Sequence, residues 1–141
     1  MSLIHDFAEY FKSRHVAVEK WFEDDVGKWA FQVTVGGDRL VCAAVSRTDV
    51  VGGDDVVSAM KAVPGRAQTR DAYVCLRVAD TPYVYDPIAI LADGSEGKPH
   101  DDQRTERGEE WIYFPKSLGV DFEYFVDGHA SPPTYADVTK A

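Results

Sequence analysis

Apolar residues near the start of the chain recur at helical spacing. Ile4, Phe7, Ala8 and Phe11 fall at i, i+3, i+4 and i+7, which predicts a helix over residues 2–14 with Ser2 as its cap. The period then shortens to two. "HVAVEKWF" predicts a short strand, "EDDVG" a polar turn, and "KWAFQVTV" and "RLVCAAVSR" two further strands. Gly36-Gly37 joins the last two, a pair that takes the positive φ angles of a two-residue hairpin. On the first of them Trp29, Phe31, Val33 and Val35 are expected on one face. On the second, apolar residues fall on both faces from Leu40 to Val45, as in a strand covered on each side.

"VGGDDVVSAMKAVPG" is expected to be a second helix. Asp54 and Asp55 stand where its dipole favours acids, Val56, Val57 and Met60 form the inner face, and Pro64-Gly65 stops it. "DAYVCLRVAD" and "YVYDPIAILAD" read as strands around a turn at Asp80-Thr81-Pro82, with Pro87 marking an edge or a bulge. Residues 94–110 are charged and rich in breakers, a long surface loop. "WIYF" is strand-like, and Leu118, Phe122, Phe125 and Val126 have a helical spacing that Gly119 interrupts. The expected architecture is α+β: one mostly antiparallel sheet flanked by helices, in the order α-β-β-β-α-β-β and a final strand or helix. It spans residues 1–126 as a single domain, and 127–141 form a Pro-containing C-terminal tail.

The chain has 141 residues and a formal net charge of −9, from 24 acids against 15 Lys and Arg. That balance argues against nucleic acid, since phosphate binding needs clustered cations, and favours basic partners through long-range steering. No apolar run is long enough to cross a bilayer and the N-terminus lacks a signal-peptide pattern, so a cytoplasmic protein with no membrane association is expected. Cys42 and Cys75 lie in apolar strand-like runs without metal-ligand spacing. Buried free thiols are expected, and a disulfide only if their strands are neighbours.

The element order over residues 2 to about 126, with the acidity and length, resembles the type III secretion chaperones and the related YbjN-like proteins. The resemblance implies a small domain that dimerises and binds extended segments of partner proteins. The order helix, three strands, helix, strand also resembles the PD-(D/E)XK nucleases, whose fold holds an acid on its second strand and an E-x-K triplet on its third. Two carboxylates there bind a divalent metal, and the lysine positions the attacking water. The matching positions here read Gln32 and Thr34, then Ala43-Ala44-Val45-Ser46, with neither carboxylate nor amine. A nuclease-like copy would therefore be catalytically dead, with a structural or nucleic-acid role at Arg39, Arg47, Arg66, Arg70 and Arg77. A central parallel strand pair would mark that arrangement, and an all-antiparallel sheet the chaperone-like one.

No catalytic, cofactor-binding or metal-binding residues are assigned. His5, His15, His100 and His129 are dispersed, and the acids of residues 100–110 lack the spacing of a calcium loop. Asp24-Asp25 is an ordinary turn pair, and Ser46 has no nucleophile-elbow context. The aromatics carry the better signal. In "WIYFPKSLGVDFEYFVDG" they fall on both faces under either period, so they pack in a two-sided core or against a partner. The expected function is non-enzymatic protein binding or regulation, with itself or another protein as partner. Trp111, Tyr113, Phe122, Tyr124 and Phe125 are the candidate contact residues.

Overall fold

The computed structural model describes residues 3–25, 27–45, 48–51, 54–60, 72–78, 81–92, 111–128 and 130–139. Helix α1 (Leu3–Lys12) opens the chain and buries Ile4, Phe7, Ala8 and Phe11, the four residues of the apolar stripe. It ends in a left-handed residue, His15 (φ 64°), with the Val16 N–H returning to the Phe11 carbonyl at 2.9 Å. Strands β1 (Lys20–Asp24), β2 (Gly27–Val35) and β3 (Asp38–Val45) then form an antiparallel meander. Gly36 and Gly37 turn the β2–β3 hairpin at φ 58° and 89°, the conformation that an L side chain resists and glycine accepts.

After β3 the chain leaves this sheet. β4 (Thr48–Val51) and β5 (Asp54–Met60) pair antiparallel in a second, three-stranded sheet that β8 (Trp111–Pro115) completes. The chain returns as β6 (Tyr73–Val78), which lies parallel to β3, and β7 (Thr81–Tyr85) pairs antiparallel with β6. Helix α2 (Pro87–Ala92) follows, then, after β8, a 3₁₀ turn at Lys116–Leu118, β9 (Val120–Asp121), α3 (Phe122–Val126) and α4 (Tyr135–Val138). The main sheet runs β1-β2-β3-β6-β7-β9, antiparallel except at β3–β6. The fold is therefore α+β with a mixed, mostly antiparallel sheet, as the patterning implies.

Each face of the main sheet has its own core. On one face α1 and α3 press Phe7, Phe11, Phe122 and Phe125 onto Phe31, Val33, Leu40, Cys42, Cys75 and Val84. The rings meet edge-on, Phe7 against Phe31 at 5.4 Å and Phe11 against Phe122 at 5.3 Å, and such pairs add about 0.5–1.5 kcal/mol to the burial itself. On the other face Val41, Val74, Leu76 and Tyr85 pack with Ile90 of α2 and Phe114 of β8. Tyr85 is wholly buried. Its ring meets Phe114 at 5.1 Å and its hydroxyl donates to the Phe114 carbonyl at 3.4 Å.

Three local expectations change. Residues 54–60 form β5 rather than a helix, because two neighbouring strands supply a ladder that local spacing does not reveal; Pro64-Gly65 lie outside the described residues. Pro87 starts a helix instead of interrupting a strand. Asp86 caps it, its Oδ1 accepting from the N–H groups of Ile88 (2.9 Å) and Ala89 (3.3 Å), and proline at the first helical position loses no needed donor. Trp29 leaves the face it was expected to share with Phe31. The β1–β2 register steps from Phe22↔Ala30 to Glu23↔Lys28, which makes Trp29 the extra residue of a β-bulge and sets its ring against Phe22 at 5.7 Å on the opposite face.

Candidate functional site

The segment expected to make contacts divides once folded. Phe122 is 3% exposed and Phe125 8%, both in the α1-side core, where Phe125 also packs edge-on against Tyr73 at 5.0 Å. Tyr124, between them in sequence, is 61% exposed. Asp121 sets this division by capping α3, its Oδ1 accepting from the Glu123 N–H at 2.9 Å, so that Phe122 and Phe125 point inward and Tyr124 outward. Trp111 and Tyr113 are placed in β8, paired with Met60 and Ser58, and their side chains lie outside the described ones.

The nuclease-type positions carry no donor set. Ala43 is buried on β3 opposite Leu76, and Ala44 stands opposite Arg77. Gln32 lies half-buried on β2, and the Thr34 hydroxyl donates to Glu19 Oε1 at 2.7 Å. Of the five arginines in that reading, Arg77 is held against the rings of Tyr10 (5.4 Å) and Phe7 (5.9 Å), and Arg39 lines a cleft with two acids. Arg47, Arg66 and Arg70 lie outside the described residues.

That cleft, of about 370 Å³, opens beside the β2–β3 turn between Gly37, Asp38, Arg39, Tyr73, Asp86 and Ile88. Burial and then the carboxylates of Asp38 and Asp86 raise the Tyr73 phenol, which keeps it protonated. Asp86 is already committed to capping α2, so the cleft combines a structural acid with one further acid, a phenol and a guanidinium. It can accept and donate hydrogen bonds, and among the described residues its lining holds no Ser, Thr, Cys or His to act as a nucleophile or neutral base. Among the described residues no group of three or more His, Cys, Asp and Glu is placed to hold a metal ion, and no helix is long and apolar enough to cross a membrane.

The feature that sequence reading missed is the outer strand of the main sheet. Among the described residues β1 pairs with β2 alone, which makes this five-residue strand an edge of the main sheet. Its two aromatics are half-buried on opposite faces. Trp21 sits with Phe31 at 5.4 Å, His5 at 5.3 Å and the Lys28 ammonium at 4.6 Å; Phe22 sits with Trp29 and the Lys20 ammonium at 4.9 Å. The first strand of a meander is an edge unless a later strand joins it, and that was the available signal. Comparison with protein-family models, curated proteins and solved structures finds no match.

Proposed function

We propose that the chain is a non-enzymatic, cytoplasmic protein-binding domain of chaperone-like type that works as a homodimer, with β1 as the strand that pairs. The observation that carries this reading is that β1, among the described residues, has a neighbouring strand on one side only and half-buried aromatics on both faces. Strand addition to such an edge satisfies its backbone groups, and side chains at alternate positions supply specificity. The strand is also self-complementary in charge. "KWFED" starts basic and ends acidic. A two-fold axis through Phe22, normal to the sheet, places position 20 of one copy opposite position 24 of the other and Phe22 opposite its own counterpart. Opposite charges then face each other twice per interface, an isologous arrangement.

Light scattering after size exclusion tests the reading. A dimer is expected at micromolar concentration, with the dissociation constant rising about tenfold in Lys20→Glu. The swap Lys20→Glu with Asp24→Lys should restore it. A wild-type monomer, or a swap that fails to rescue, ends this reading.

One observation favours a second reading, a catalytically degenerate PD-(D/E)XK nuclease-like domain with a structural or nucleic-acid role. Its support is the parallel β3–β6 pair beside an antiparallel meander, the pairing expected of that arrangement. The net charge of −9 weighs against nucleic acid. Fluorescence anisotropy with duplex DNA at low salt separates the two: no binding is expected, and salt-sensitive binding would put the second reading first.

A further inference from the structure

We infer that Cys42 and Cys75 form a reversible disulfide that closes the seam between β3 and β6 when the protein meets a small-molecule disulfide such as oxidised glutathione. The two residues are direct partners in the parallel β3–β6 register, and both face the α1-side core. Both are wholly buried free thiols. Neighbouring strands run about 4.8 Å apart, within the separation of roughly 4.4–6.8 Å that a disulfide spans between its Cα atoms. The register thus brings the pair into bonding range with no change of topology. Everything between β3 and β6, including β4 and β5, would lie inside the ring that the bond closes.

The folded protein holds the bond off. Burial first, and then the Cys75 thiol beside it, push the Cys42 thiol well above its ordinary range, and only the thiolate attacks a disulfide. Reaction therefore runs through transient opening of the seam. One cysteine thiolate attacks a sulfur of the small disulfide, forms a mixed disulfide and expels a small thiolate. The second cysteine thiolate then attacks the protein sulfur of that mixed disulfide, forms the Cys42–Cys75 bond and expels the second small thiolate. Two electrons pass to the small disulfide, and the two thiol protons end on the two small thiols. The ring closed by the bond constrains the unfolded chain, so the oxidised form is the more stable.

Intact-mass measurement on the full chain tests this, with excess oxidised glutathione and urea rising toward, but below, the unfolding midpoint. The expected product has lost two hydrogen atoms and both titratable thiols, forms faster as urea rises, and reverts with dithiothreitol. Its Tm should lie on the order of 10 °C above that of the reduced form. Cys42→Ser, or Cys75→Ser if the first does not fold, should instead keep a stable glutathione adduct on the remaining thiol. Accumulation of the same stable adducts by the wild type would overturn the inference, because it would mean that the second thiol cannot reach the first. Retention of both thiols in urea that permits labelling of the single-cysteine variant would overturn it equally.

Discussion

The main sheet ends differently on its two sides. At the β7 side the sheet ends in a strand of only two residues. β9 adds only Val120 and Asp121 to the ladder, α3 then turns onto the α1 face, and α4 reaches α2 on the other face. At the β1 side five residues stand with one neighbour among those described. Under the proposed function, exposure of apolar groups is not what selects the pairing edge. Tyr124 is the more exposed aromatic, but it projects from α3, next to the two-residue β9. Trp21 and Phe22 are half-buried and flank a strand that, among the described residues, has a neighbour on one side only.

The largest expected effect would break this contrast if it failed. Phe122→Asp beside the β9 edge places a charge among Phe11, Tyr10 and the α1-side core, and should unfold the domain in circular dichroism, a loss above about 4 kcal/mol. Phe22→Asp at the β1 edge should leave the fold intact and abolish the dimer, because each copy would set its new carboxylate opposite its counterpart. If Phe122→Asp gave a folded monomer, the interface would belong at α3.

Gly119 sharpens the account of the β9 edge. A Cβ there would meet the Tyr85 ring at 2.7 Å, and that ring is locked in the opposite core. Gly119→Ala should therefore cost about 1–3 kcal/mol by urea denaturation, and much less in a Tyr85→Leu background.

Alkaline pH should weaken the fold through one phenol on each face of the main sheet. Burial raises the Tyr10 phenol to about 12 against Arg14, which pulls it down, while its hydrogen bond to Glu123 adds to the rise; burial raises Tyr85 also. The unfolded chain releases these protons near pH 10. The folded state then holds more protons between about pH 10 and 12, so stability falls as pH rises through that window. Urea midpoints measured at about pH 9 and 11 should show the fall, and Tyr10→Phe should reduce it.

The smallest effect concerns Glu123, which takes the Tyr10 hydroxyl at 3.1 Å and the Arg14 guanidinium at 3.3 Å on an exposed surface. Glu123→Gln should cost less than about 1 kcal/mol, and the difference should shrink in high salt.

What was legible in the sequence was whatever a single element decides. The α1 stripe and the Gly36-Gly37 turn follow from spacing and φ preference alone, and they stand where expected. Features set by a second segment were hidden. Val56, Val57 and Met60 fit a helix face until β4 and β8 are known to flank them. The bulge at Trp29 depends on how β1 meets β2, which no window over β2 contains. Asp86-Pro87 was legible in principle, since a capping acid before proline is a helix start, but the apolar run before it masked the change of period. The candidate site was the least legible part. An edge is a property of strand order, and strand order depends on where the chain goes after β3.

The same strand order governs how the chain finds its fold. β1, β2 and β3 are joined by short turns, so the meander can assemble from contacts close in sequence. The β3–β6 seam cannot. Leu40 meets Tyr73 and Ala44 meets Arg77 only after roughly thirty intervening residues have closed into a loop. Docking of β6 on β3 is therefore the first step in the main sheet that waits on a long loop, and the β5–β8 and β7–β9 pairs close longer loops still. Until that step is complete the finished meander is exposed along β3 as well as β1, and the newly made chain is most prone to pair with the wrong strand during that interval.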